Sequence, residues 1–318
     1  MNTSSPRIGI LGTGAIGGFY GVMLARAGFD VHFLLRSEFA TVSAHGMRID
    51  SAVHGVIQMP VQAYADAADM PACDWLLVGA KATSNAELAP LIAKAAASDC
   101  KVVLLQNGLA VEESLRPLLP GALHLLGGLC FVCANREAPG IVRHQAFGAV
   151  HLGYHSGPLV DAVERQGVVE ACAELFRAAG IEAQAMANLA QARWQKLVWN
   201  VPYNGLSVLL RASTSALMAD EQGRELIQAL MAEVVQGARS CGHELPEGYA
   251  EHLFAMTEHM PDYWPSMYHD FTHHRPLELA AIYAEPLRQA RAVGCSLPRI
   301  ENLYQALAFI DRHNLPAH

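Results

Sequence analysis

Arg7-Ile8-Gly9-Ile10-Leu11-Gly12-Thr13-Gly14-Ala15-Ile16-Gly17 is the stretch that decides the fold. A strand-like run, Arg7–Leu11, breaks into a Gly-x-Gly-x-x-Gly fingerprint and then opens a helix. Gly12 permits a tight turn, Gly14 lets the backbone approach a pyrophosphate, and Gly17 lets the helix lie close on the strand. Unpaired N–H groups at the start of that helix suit phosphate oxygens. The loop Gly12, Thr13, Gly14, Ala15, Ile16 and Gly17 is therefore read as a dinucleotide-binding turn, with a plain structural turn as the alternative. The second strand candidate ends Leu34-Leu35-Arg36, and a guanidinium there suits a 2′-phosphate, which favours NADP over NAD. A solvated arginine after a strand is the plain alternative.

Outward from this motif, short apolar runs alternate with helix-length amphipathic segments, the pattern of a parallel sheet with crossover helices. Strands are expected at Arg7–Leu11, Val31–Leu35, Trp75–Gly79 and Val102–Leu105, with helices at Ala15–Gly28, Asn85–Ala96 and Val111–Leu118. A β-rich stretch follows, with segments at Leu123–Cys130, Gly140–His144 and Ala149–Gly153, and then a helix from Leu159 to Ala179. After Met186 the segments read as helices, punctuated by Gly and Pro at Gly242–Pro246, Met260–Pro265 and Gly294–Pro298. The expected fold is α/β: a Rossmann-type domain over residues 1–186, followed by an all-helical domain over residues 187–318.

Composition supports two globular domains. The chain has 318 residues, 52% hydrophobic and 16% charged, enough apolar content to bury substantial cores. A formal charge of -8 without a Lys/Arg cluster argues against nucleic acid as partner. No apolar run reaches the roughly 20 residues that span a bilayer, and the start of the chain lacks the pattern of a secretory signal. Seven cysteines at irregular spacing read as reduced thiols. A cytoplasmic enzyme is expected.

In the second domain, Lys196, Asn200 and Asn204 recur every four residues among Trp, Leu, Val and Tyr. On a helix they share a face, where buried polar groups need partners or a ligand. Pro202 is expected to kink that helix. Cys130-Phe131-Val132-Cys133 has metal-pair spacing but no second pair, and the spacing of His269, His273 and His274 invites a metal reading. No metal is expected at either.

Taken in order, the glycine fingerprint, Val78-Gly79-Ala80-Lys81, Leu105-Gln106-Asn107-Gly108, Trp194-Gln195-Lys196-Leu197-Val198-Trp199-Asn200, and Ser266-Met267 followed by Asp270 and Glu278 resemble the ketopantoate reductase (2-dehydropantoate 2-reductase) family. The resemblance covers nearly the whole chain. It implies NADPH-dependent reduction of 2-dehydropantoate to (R)-pantoate, a step of pantothenate biosynthesis, with a small 2-oxo acid as substrate and no membrane partner. Lys196 is implied as the general acid and Glu278 as the carboxylate beside it and the cofactor. Lys81 and the segment at Cys133 are implied as cofactor contacts, and Asn107 as a neighbour of nicotinamide and substrate. Asn200, Asn204 and Ser266 are implied to bind substrate. Helical domains of this type often pair, so a homodimer stays open.

The chain departs from the family pattern after Glu278, where Leu279-Ala280-Ala281-Ile282-Tyr283-Ala284 replaces an aspartate two residues on and an Asn-Gly pair. The loop before Ser266, with Tyr263, Trp264 and Pro265, is also more aromatic. A second reading therefore keeps the chemistry and changes the substrate to another branched 2-oxo acid. A third, a dinucleotide sensor without catalysis, is disfavoured because Lys196 and Glu278 are both present.

Overall fold

A computed structural model describes residues 5–314. The chain forms two compact units. The first takes the chain as far as Gln106 and again over Val111–Leu189, and the second takes Asn107–Ala110 and the chain from Ala190 onward.

The first unit contains β1 (Arg7–Leu11), α1 (Ala15–Arg26), β2 (Asp30–Leu34), α2 (Phe39–His45), β3 (Met47–Ser51), β4 (Gly55–Met59), β5 (Gln62–Tyr64) and β6 (Cys73–Val78). It continues with α3 (Asn85–Ala95), β7 (Ala96–Leu104), α4 (Val111–Leu115), β8 (His124–Ala138), β9 (Ile141–Ser156), α5 (Ala162–Ala178) and β10 (Ala183–Met186). The sheet runs β4-β3-β9-β8-β7-β6-β1-β2-β5, with β10 beside β9. Its run β5-β2-β1-β6-β7-β8 is wholly parallel. Counted along the chain within that run, the order is 3-2-1-4-5-6, that of a doubly wound dinucleotide-binding sheet. Central strands buried on both faces explain why β1 and β6 read as unbroken apolar runs; Ile8, Ile10, Phe33, Leu77 and Val103 are all core residues.

The three β segments expected between Leu123 and Gly153 are instead two long strands, β8 and β9, paired antiparallel with register shifts along their length. β9 carries β3 on its first residues and β10 on its later ones. Phe147 (φ 63°) and Gly148 (φ 136°) mark the irregularity that makes β9 read as two pieces. The elements α2, β3, β4, β5 and β10 were not anticipated from the sequence.

The second unit is built from α6 (Leu189–Leu210), α7 (Thr214–Ala219), α8 (Glu221–Ser240), α9 (Tyr249–His259), α10 (Ser266–Thr272), a π-helical turn (Ala280–Ala284) running into α11 (Glu285–Ala292), and α12 (Pro298–Asn314). Among the described residues no strand follows Met186. α6 lies in the core through Trp194, Val198, Val201 and Tyr203, and Gly205 on it approaches Tyr283 Oη and Leu303 too closely for a Cβ. α6 runs on past Pro202 for two further turns, and the Tyr283 hydroxyl donates to the neighbouring Val201 carbonyl at 2.8 Å. No described helix is long and apolar enough to cross a membrane.

Candidate active site

The glycine loop follows directly from β1. Gly12 has φ +85°, and a Cβ on it would overlap the backbone nitrogen of Ala80. A Cβ on Gly17 would overlap the Gly12 carbonyl, so each is confined to glycine by the protein itself. Gly14 differs: a Cβ there would meet nothing within 4 Å, leaving room above the start of α1 for a ligand. Gly14 is the N-cap of α1 and provides no side-chain cap, so the first N–H groups of a 12-residue helix face a space suited to an anion. These residues fit a dinucleotide pyrophosphate.

Two neighbouring strand ends complete this set. Thr13 Oγ1 donates to the Leu34 carbonyl at 3.0 Å, tying the loop to the end of β2, where Arg36 stands exposed. Arg36 Nη1 lies 3.4 Å from Glu87 Oε2, with both side chains largely in solvent. At the end of β6, Gly79 N–H donates to Leu11 O at 2.8 Å, and a Cβ on Gly79 would lie 2.6 Å from Gly17 N. Lys81, two residues on, is half-buried. Gln106 Nε2 braces this region by donating to Ala80 O at 2.9 Å and Asn85 Oδ1 at 2.8 Å. Cys133 is a buried residue of β8 whose thiol burial pushes up to about 12, so it offers backbone and bulk rather than thiolate chemistry.

The second unit gathers the remaining candidates. Lys196, Asn200 and Asn204 follow one another along α6; Lys196 is half-buried, and Asn200 and Asn204 are 4% and 2% exposed. Asn204 Oδ1 accepts from Met267 N–H at 3.4 Å, which brings Asn204 to the first turn of α10, beside Ser266. Asn200 Nδ2 is buried without a hydrogen-bond partner. Glu278 is 8% exposed and stands two residues before the π-helical turn, a distortion frequent at functional sites.

Asn107 also belongs to this unit. The next residue, Gly108 (φ +96°), sits so close on the π turn that a Cβ would overlap Ala281. Leu109 N–H donates to Ala281 O at 2.9 Å, and Arg193 Nη1 donates to Gly108 O at 3.0 Å. The sequence reading missed Arg193, which is 4% exposed. Its only sequence signal was its place three residues before Lys196.

The structure therefore groups Gly12–Gly17, Arg36, Lys81 and Cys133 in the first unit, and Asn107, Lys196, Asn200, Asn204, Ser266 and Glu278 in the second. Among the described residues no three His, Cys, Asp or Glu side chains converge as a metal site. His273 and His274 donate through Nδ1 to the carbonyls of His269 and Asn314, and all seven cysteines are free.

Known proteins resemble the chain in sequence and in fold. Residues 8–157 match the family model "Ketopantoate reductase PanE/ApbA", and residues 188–311 match "Ketopantoate reductase PanE/ApbA C terminal". A 2-dehydropantoate 2-reductase of Nostoc sp. is 41% identical over 308 residues, covering 96% of this chain and 95% of the relative. A 2-dehydropantoate 2-reductase structure from Geobacter metallireducens superposes with a TM-score of 0.88 at 36% identity, covering 95% of this chain and 99% of the other. One from Methylococcus capsulatus has a TM-score of 0.84 at 34% identity, covering 98% of each. The chain belongs to the ketopantoate reductase family.

Proposed function

We propose that the chain reduces 2-dehydropantoate to (R)-pantoate with NADPH. Residues 1–186 bind the cofactor, and residues 187–318 provide the catalytic and substrate groups, joined by Asn107. The Gly12–Gly17 loop and the start of α1 hold the pyrophosphate, Arg36 the 2′-phosphate, and Lys81 and the backbone at Cys133 the rest. Bound NADPH supplies the hydride that converts the carbonyl carbon to a C–H centre.

The protein handles the charge and the proton. Lys196 in its ammonium form polarises the substrate carbonyl and donates a proton to the oxygen as it becomes a hydroxyl. Glu278 keeps that ammonium charged and in place. Asn200, Asn204 and Ser266 orient the substrate through its carboxylate and hydroxyl groups.

The observation that carries this reading is Asn200 Nδ2, a buried donor without a partner, one helical turn beyond Lys196. An unsatisfied buried amide costs about 1–3 kcal/mol, a cost that a bound oxygen-rich acid removes. The test is NADPH oxidation with 2-dehydropantoate, run beside NADH, other 2-oxo acids and Lys196→Ala. Turnover that collapses in the variant supports the reading, and tight NADPH binding without turnover of 2-dehydropantoate sinks the substrate.

A second reading substitutes another branched 2-oxo acid. It rests on Trp264 and Tyr268, stacked at 4.0 Å on either side of Ser266 in the sequence, and on the apolar Leu279–Ala284 segment. The same panel of acids separates the two. The protein on this reading works in the cytoplasm, as a homodimer that light scattering would test.

A further inference from the structure

We infer that Arg193 is a positioning residue that, with Ala281 as its seat, fixes the Asn107–Ala110 loop against the helix bearing Lys196. The inference rests on the proposed reductase reading for the role of Asn107 and Lys196, and on geometry for the rest.

Arg193 is 4% exposed, and one of its guanidinium N–H groups donates to the Gly108 carbonyl at 3.0 Å; arginine is seldom buried without such polar contacts. That carbonyl belongs to the residue following Asn107. From the other side, Leu109 N–H donates to Ala281 O at 2.9 Å, so successive peptide groups of the loop are held by two different elements. Gly108 is left-handed (φ +96°) and in contact with Ala281, and Ala110 is left-handed too (φ 58°). Such a conformation persists only where its surroundings impose it.

A Cβ added at Gly108 would lie 2.4 Å from the Ala281 Cβ and 2.6 Å from its carbonyl, so the loop reaches this seat only with glycine at 108. Ala281 is three residues past Glu278, and Arg193 three before Lys196, which places them about one turn from each proposed catalytic group. Asn107 is thereby held in register with both. A displacement of about 1 Å in such a site costs on the order of a hundredfold in rate.

The experiment compares wild type, Arg193→Lys and Arg193→Met, using whichever 2-oxo acid the wild type reduces. Expected results are faster amide hydrogen exchange at residues 107–110 in both variants, and kcat lower by roughly tenfold to a hundredfold. The KM for NADPH should stay within about twofold, and the deuterium isotope effect from 4-deuterated NADPH should rise as hydride transfer becomes limiting. Arg193→Lys, which keeps the charge without the planar fork, should fall between wild type and Arg193→Met. Unchanged exchange and isotope effect in Arg193→Met overturn the inference, as does a loss of activity that appears only in the NADPH KM. A wild type that reduces no 2-oxo acid sinks the reductase reading, and the catalytic role of Arg193 with it, whatever the exchange shows.

Discussion

Thr13 Oγ1 donates a 3.0 Å hydrogen bond to the carbonyl of Leu34, so the glycine loop and the end of β2 are one piece. The loop carries the proposed pyrophosphate contacts and the strand leads to Arg36. Thr13→Val removes the bond while keeping the shape. A net loss of about 1 kcal/mol is expected, read as a rise of roughly fivefold in the NADPH dissociation constant. Unchanged NADPH affinity would show that the loop holds its position without this tie.

The fingerprint glycines separate fold from ligand. Gly12→Ala forces a left-handed alanine into the backbone of Ala80 and should lower stability by more than about 1 kcal/mol along with NADPH binding. Gly14→Ala meets no protein atom within 4 Å, so its melting temperature should match or exceed wild type while NADPH affinity falls at least roughly tenfold, because the methyl occupies the phosphate's space. Gly14→Ala with wild-type affinity would place the pyrophosphate elsewhere.

Arg36 tests the cofactor preference. Its exposure and its exposed partner Glu87 give it little part in stability, so Arg36→Ala should leave the melting temperature unchanged. The NADPH KM should rise by roughly tenfold or more, consistent with loss of a charge-assisted contact of about 1.5–3 kcal/mol, while the NADH KM barely moves. Equal changes for both cofactors would remove Arg36 from 2′-phosphate recognition.

The parts legible in the sequence are those fixed by local chemistry. The β1–α1 turn is readable because close backbone approaches at Gly12 and Gly17 admit no other residue, and β6 and the end of β7 because strands buried on both faces are apolar runs; β7 starts at Ala96, earlier than expected, because Ser98, Asp99 and Lys101 break its apolar pattern. β3 alternates Met47-Arg48-Ile49-Asp50-Ser51 and β5 has three residues; segments so short are strands only because a neighbour is there to pair with. β9 was divided because Phe147 and Gly148 break its alternation. In the site, Lys196, Asn200 and Asn204 were legible from polar spacing on one helix. Arg193 was not, because a cation on an amphipathic helix reads as a solvated residue until the Gly108 carbonyl is brought to it from 85 positions away.

The first unit should lose stability in mild acid. Burial pushes the imidazoles of His54, His124 and His144 below the usual 6.5, with Arg26, Lys101 and His54 adding repulsion to each in turn. Ser51 Oγ accepts from Val53 N–H and His54 N–H, so its own hydrogen faces His144 Nδ1 at 2.8 Å. Nε2 of His144 donates to the carbonyls of Ala146 and Phe147. A proton on Nδ1 would then oppose another donor. With folded pKa values below the unfolded ones, the unfolded chain binds more protons in this window, so stability is full above pH 6.5 and declines as pH falls through the lower folded values. Asp30, held low by Gln62, and Asp99, held low by Lys101, add their losses only below about pH 4. Denaturant midpoints measured from pH 7.5 to 5 should fall steadily, and a flat profile would refute the assignment.

Glu233 supplies the start of α12 from another helix. Pro298 opens that helix without an N–H to satisfy, and the next two, on Arg299 and Ile300, both donate to the Glu233 carboxylate at 3.0–3.1 Å. The Arg299 guanidinium adds a contact at 3.2 Å, and Glu233 is 5% exposed. The carboxylate therefore caps the helix in place of a local Ser or Asp and faces the positive end of its dipole. Glu233→Ala strands the buried N–H of Ile300 and the half-buried N–H of Arg299 and should cost about 1–3 kcal/mol. Glu233→Gln keeps an acceptor but not the charge and should cost less. NADPH affinity should not change in either variant, since every proposed contact to the 2′-phosphate and pyrophosphate lies in the first unit. Denaturant midpoints alongside NADPH titration decide the matter: a stable Glu233→Ala would mean that α12 finds its cap elsewhere, and an equal loss in both variants would assign the whole effect to charge.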